Sequence, residues 1–198
     1  MSSTALVPSL VRPSSRAVAL VADAVLVAVG VTLIALSAQI SIQLPHTPVP
    51  ITGQTFAVLL VGGAYGASRG FSTMAAYLVV GGIGCGVFAQ HSSGWDVLTF
   101  SSATGGYLVG MLVAAGLVGW LADRGWDRRA RLSLPTMILG NVVIYAFGAT
   151  WLAHALGVGA QQAWDLGIKD FLIGDAIKIV LAAGLLPAAW KLVDAIRR

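Results

Sequence analysis

At 198 residues the chain suits a single domain, and with 57% hydrophobic residues, 10% charged residues and a mean hydropathy of +0.85 its composition is far from that of a soluble one. A soluble domain carries roughly 25% charged residues, so the chain reads as an integral membrane protein. The net charge of +4 comes from basic residues gathered beside apolar runs, where they act as orientation signals, and no nucleic-acid partner is expected.

Residues 1–16, polar and rich in Pro and Ser, read as a disordered cytoplasmic tail. The apolar run that follows, from Ala17, is about 22 residues long, longer than a signal-peptide core, so it is expected as an uncleaved first span. Windows of about 20 apolar residues then give six helices: Ala17–Ala38, Gly53–Gly66, Gly70–Ala89, Ala103–Ala122, Leu134–Leu156 and Lys169–Trp190. The second is short, so it is expected to be tilted, broken or extended by the loop before it. Residues 17–190 therefore read as one all-α, six-helix membrane domain, and residues 191–198 as a basic cytoplasmic tail. Every Lys and Arg except Lys169 and Lys178 falls on one side of this arrangement, which places both termini in the cytoplasm and the chain in the cell membrane. No internal repeat of the kind common in secondary transporters is visible.

Asp175 and Lys178 stand three residues apart on one face of the sixth helix, about 9 and 13 Å below Lys169 at 1.5 Å per residue. Ionisable groups inside a bilayer are costly and usually pair or mark a ligand or ion path. Three readings are open: an ion pair that pins two helices, a polar clamp for a ligand with donors and acceptors such as a urea or amide, and a proton relay. Asn141 and Tyr145, one turn apart on the fifth helix, add hydrogen-bonding groups, and Tyr145 lies too deep to be an interfacial anchor.

Ser41–Thr52 holds Pro45, Pro48 and Pro50, which exclude helix and favour a stiff extended loop. Such a loop is either a connector or a lid over an outward pocket. Ala103-Thr-Gly-Gly-Tyr107 opens the fourth helix with a glycine pair that permits close approach by a neighbour or a ligand. Ala24, Ala28 and Thr32 form a small-residue stripe on the first helix, suited to internal packing or to docking another membrane subunit. Asp23 is expected to face the headgroups or to pair with Arg16 or a partner's base. Cys85 is alone and expected to pack. His46, His91 and His154 match no metal motif, so neither a metal nor another cofactor is expected. The chain lacks Gly-x-x-x-x-Gly-Lys-Ser/Thr and the usual hydrolase motifs, so no ATPase or other enzymatic activity is expected.

Taken together the segments resemble the biotin-specific S component family (BioY) of energy-coupling factor (ECF) vitamin transporters. The resemblance rests on Gln39-Ile-Ser-Ile-Gln-Leu-Pro-His-Thr-Pro-Val-Pro-Ile-Thr52, Gly84-Cys-Gly-Val-Phe-Ala89, Ala103-Thr-Gly-Gly-Tyr107, Gly140-Asn-Val-Val-Ile-Tyr-Ala-Phe-Gly148 and Gly174-Asp-Ala-Ile-Lys178, in that order. It implies a six-helix bundle that binds biotin near its outer face, with Asp175 and Lys178 on the ureido group and Asn141 nearby. The candidate contacts are Asp175, Lys178, Asn141, Tyr145, Tyr107, Gly106, Thr104 and Gln90, and the lid is Pro48, Val49, Pro50 and Ile51. It further implies a transmembrane T component and two cytoplasmic ATPases as partners, with Ala24, Ala28 and Thr32 as the docking stripe. The chain departs from the family where Gly86 and Ala103 replace prolines, at Ile173, and in Gln90–Asp96, which has no Arg or Lys for the biotin carboxylate.

Overall fold

The structure, a computed structural model, describes residues 5–10 and 15–196. Among the described residues eight α-helices follow in order: α1 (Leu6–Leu10), α2 (Arg16–Gln39), α3 (Gln54–Tyr65), α4 (Ala67–Gly82), α5 (Gly105–Ala122), α6 (Ala130–Leu156), α7 (Ala160–Gly167) and α8 (Leu172–Ile196). A two-stranded antiparallel hairpin, β1 (Ser41–Ile42) with β2 (Ile51–Thr52), separates α2 from α3, pairing Ser41 with Thr52 and Ile42 with Ile51. Short 3₁₀ turns occupy Ala89–His91, Trp95–Leu98, Trp126–Arg128 and Lys169–Phe171.

Helix α5 is the hub, buried along most of its length and packed between α3, α4 and α6. Close packing there depends on small residues. A side chain at Gly62 would meet the Ala115 carbonyl oxygen of α5 at 2.8 Å, so glycine lets the two backbones touch. Gly66, at φ 83°, turns α3 directly into α4, a backbone state that glycine adopts freely. The Asp123 carboxylate accepts from the Ala67 N–H at 2.9 Å, satisfying a free donor at the N-terminus of α4. Helix α2 lies outside this core, with Gly30, Ile34 and Ala38 facing in and Leu20, Val21, Val25, Val29, Leu33 and Leu36 exposed. A helix so apolar all round suits lipid rather than water.

Several expectations need correction. Arg16–Gln39, Gly105–Ala122, Ala130–Leu156 and the stretch Ala160–Ile196 are long and apolar enough to cross a membrane, whereas α3, with 12 residues, and α4, with 16, are shorter. The third span, expected to reach Ala89, stops at Gly82, because Gly81, Gly82 and Gly84 (φ 107°) leave the helix without side-chain support. The expected start of the last helix at Lys169 is a 3₁₀ turn, and α8 continues past Trp190 to Ile196, into the segment expected as a tail. Part of the stretch expected as a disordered N-terminal tail is helical: Leu6 is buried against Trp190 and Val193. Residues 1–4, 11–14 and 197–198 lie outside the described residues. Asp23 pairs with Arg69 at 2.7 Å rather than with Arg16, tying α2 to α4. Cys85, expected to pack, is exposed in the glycine-rich turn after α4.

The end of the bundle formed by the α5–α6 turn and the last turns of α8 is closed by a buried acid. Asp127 is 1% exposed, its Oδ2 accepts from Trp190 Nε1 at 2.5 Å, and the Arg128 guanidinium lies 4.1 Å from the centre of the Trp190 ring. Burial pushes the Asp127 carboxyl up to about 6, against the opposing Trp190 bond and the Arg128 charge. Because the folded value lies above the unfolded one, ionising Asp127 disfavours the fold, and this loss sets in as pH rises from about 4 to above 6. Asp127→Asn is therefore expected to gain on the wild type with rising pH. Its melting temperature in detergent, relative to wild type, should rise by about 5 °C between pH 4 and pH 8. A constant difference across that range would contradict this.

Candidate functional site

One end of the bundle encloses a cavity of about 210 Å³. The hairpin loop supplies Pro48, Val49, Pro50 and Thr52, and α3 supplies Gln54 and Thr55. Phe88, Ala89, Gln90, Ser92 and Val97 come from the irregular segment after α4. Thr104 lies just before α5, which supplies Tyr107, Leu108 and Met111, while α6 supplies Ile144 and Tyr145. Phe171, Asp175 and Lys178 complete the lining at the start of α8.

The buried end is polar. Asp175 is 3% exposed, and its Oδ1 lies 2.8 Å from Lys178 Nζ. Thr55 Oγ1 donates to the same Oδ1 at 3.2 Å, and the Tyr145 hydroxyl donates to Oδ2 at 2.5 Å. Lys178 also donates to the Thr52 carbonyl at 2.5 Å and to Thr55 Oγ1 at 3.3 Å. Two charges removed from water are tolerable only when paired and hydrogen-bonded in this way. A carboxylate offers about four acceptor positions, and Asp175 uses three.

The prolines do exclude helix from residues 43–50, which form the turn of the β1–β2 hairpin. Thr47 Oγ1 donates to the Leu166 carbonyl at 2.5 Å, and His46 Nε2 meets Asp170 Oδ2 at 2.6 Å, so the loop is fastened to the α7–α8 side of the mouth. Gln39 braces the opposite side. Its Nε2 donates to the Phe88 carbonyl at 3.1 Å and its Oε1 accepts from the His91 N–H at 3.0 Å. Gln90 and His91 both sit at φ 58°, in the left-handed region, and Gln90 Nε2 donates to Gln43 Oε1 at 3.1 Å. Strained backbone of this kind persists only where surrounding contacts hold it. Phe88 is buried edge-on against Tyr77, whose hydroxyl donates to the Val87 carbonyl at 2.9 Å and accepts from Gln54.

Of the residues singled out in the sequence, the fold brings Asp175, Lys178, Tyr145, Tyr107, Thr104, Gln90, Pro48, Val49 and Pro50 onto one cavity. Three of the expected contact and lid residues fall elsewhere. Gly106 packs on α6, where a side chain would collide with Trp151 and the Phe147 carbonyl, so its smallness serves helix packing. Ile51 pairs with Ile42 in the hairpin and packs on the core. Asn141 lines a separate apolar groove between α6 and α8 that Tyr145 and Asp175 also border, and its Oδ1 is buried with no hydrogen-bond partner among the described residues. Tyr107 contributes its ring, since its hydroxyl is committed to the Gly167 carbonyl at 2.7 Å. Thr55 and the Thr52 carbonyl, both bonded to the ion pair, escaped the sequence reading. So did Phe88, Met111 and Phe171, which carry no signal among so many apolar residues.

The BioY family model matches residues 9–195 of this chain. The biotin transporter BioY of Rhizobium etli is 37% identical over 158 residues, covering 76% of this chain and 83% of that protein. The probable biotin transporter BioY of Pyrococcus horikoshii is 34% identical over 157 residues, covering 79% and 89%. The crystal structure of the S-component for biotin from an ECF-type ABC transporter superposes with a TM-score of 0.78 over 86% of this chain and 92% of that one. At 23% identity it shows a shared fold.

Proposed function

We propose, from the premise that this chain belongs to the BioY family, that it is the biotin-capturing S component of an ECF-type transporter. Family membership and the apolar helices make it a multi-pass membrane protein, and a transporter subunit rather than an enzyme. The observation that carries the proposal is the buried Asp175–Lys178 pair in a largely apolar cavity beneath the proline-rich loop.

A ureido group presents two N–H donors and one carbonyl. The unused acceptor position of Asp175 takes one N–H directly. Lys178, with three donors already engaged, serves the carbonyl by giving up its longest bond, the 3.3 Å contact to Thr55. Tyr145 holds the carboxylate in place, and Asn141, one turn away, acts from behind Tyr145 rather than from the cavity. The thiophane ring and valeryl chain then lie against Phe88, Tyr107, Met111 and Ile144, beneath Pro48, Val49 and Pro50.

Six crossings with both termini in the cytoplasm suit this role. The hairpin continues α3, and the segment after α4 continues that helix, which compensates for two short spans. Arg69, Arg124, Arg128, Arg129 and Arg131 then face inward. On α2 the Ala24, Ala28 and Thr32 stripe is exposed, and Thr32 Oγ1 is turned onto the Ala28 carbonyl at 2.9 Å, so the stripe is smooth and apolar. A T component docks there, and two cytoplasmic ATPases drive release inward. The test is biotin uptake by cells lacking other biotin transporters. Uptake is expected with the T component and ATPases present and absent with the chain alone. Full uptake by the chain alone would instead make it a self-sufficient carrier.

A further inference from the structure

The cavity has one charged end, and that end is electrically neutral as a whole. Among the described lining residues the charged ones are Asp175 and Lys178, which offset each other at 2.8 Å. All three ammonium protons are in use, on the Thr52 carbonyl, Asp175 Oδ1 and Thr55 Oγ1. The walls are mostly apolar, formed by Phe88, Val97, Leu108, Met111 and Ile144, and the buried Gln54 among them is uncharged, with its Nε2 donating to the Tyr77 hydroxyl. At the mouth stand Gln90 and Ser92, both exposed, and Thr104, all uncharged donors. On the same side of the molecule His46 is held by Asp170 at 2.6 Å and Lys169 lies 3.9 Å from Asp165, and neither lines the cavity.

An anion drawn into this cavity would find no opposite charge to spare, and a desolvated, unpaired carboxylate is heavily penalised. Granted the biotin reading above, the urea end occupies the charged floor and the tail reaches the mouth, where its terminal group stays hydrated. We infer that the site does not read the charge on the ligand's tail. Its ligand class is the urea-headed bicycle carrying an acid, amide, ester or alcohol tail alike, with specificity residing in Asp175, Lys178 and Thr55.

The experiment is competition against labelled biotin on the purified chain in lipid nanodiscs, using biotin, its primary amide, its methyl ester and the corresponding alcohol. The four are expected to agree within about threefold, since exchanging one solvated polar group for another changes little. Ser92→Arg is expected to create a preference for the acid of about fivefold, the effect of a half-exposed ion pair. A wild-type preference for the acid of about tenfold or more would overturn the inference, because it would require a cation at the tail. Folded protein that binds none of the four, biotin included, would overturn the biotin reading and this inference with it.

Discussion

Replacing both members of the buried pair together, as Asp175→Leu with Lys178→Met, is expected to leave the bundle folded and to abolish biotin binding. Well-packed apolar residues in place of a buried ion pair are often neutral or stabilising, because the desolvation of both charges is avoided. The single change Lys178→Met should behave differently. It strands Asp175 at 3% exposure with only hydroxyl donors, Tyr145 and Thr55, and should cost about 3–5 kcal/mol of stability. Each charge-assisted hydrogen bond to the ureido group is worth about 1.5–3 kcal/mol, so losing both groups weakens binding by at least about a hundredfold. If the pair merely pinned α8 to the hairpin and α3, the double variant would fold and still bind. Measuring thermal stability and biotin binding on the same preparations separates the two roles.

Val49→Asp is expected to eliminate tight binding while leaving the helices intact. Val49 is 5% exposed, faces the cavity from the hairpin loop and packs on the core beneath it. A carboxylate there either enters an apolar wall with no partner or keeps the loop away from the mouth. Both outcomes should weaken binding by about a hundredfold or more. Because residues 43–50 form a hairpin turn rather than a helix, the helices should stay folded, with the loss of stability confined to the contacts of the loop. Val49→Ala is the control, removing apolar contact without adding charge, and should cost about tenfold. Equal, small losses in both variants would argue against a lid.

The ion pair was legible in the sequence because charge is rare in this chain and the i, i+3 spacing fixes a shared helix face. The proline-rich loop was legible because prolines 45, 48 and 50 forbid helix. The hairpin around it was not, since pairing Ser41 with Thr52 depends on how α2 and α3 approach one another. That Gly106 and Asn141 do not line the cavity was hidden for the same reason. Sequence places both beside the lining residues along the chain, but the azimuth of each helix decides whether a residue meets the cavity or the neighbouring helix. Gly106 turns to Trp151, and Asn141 turns to the α6–α8 groove. The early end of α4 went unread because Gly81, Gly82 and Gly84 are unremarkable residues in a membrane helix until the backbone turns positive at Gly84. Thr55 went unseen because a threonine at a helix start has many ordinary uses, and only the fold brings it to 3.2 Å from Asp175.

Equilibrium binding of labelled biotin to the purified wild-type chain, without any partner and with the Asp175→Leu/Lys178→Met variant as control, tests the central claim most directly. Saturable binding of one biotin per chain, absent in the folded variant, is the result expected of a capture subunit whose polar clamp is this pair. Folded wild-type protein with no saturable binding, or a variant that binds as well as the wild type, would contradict it.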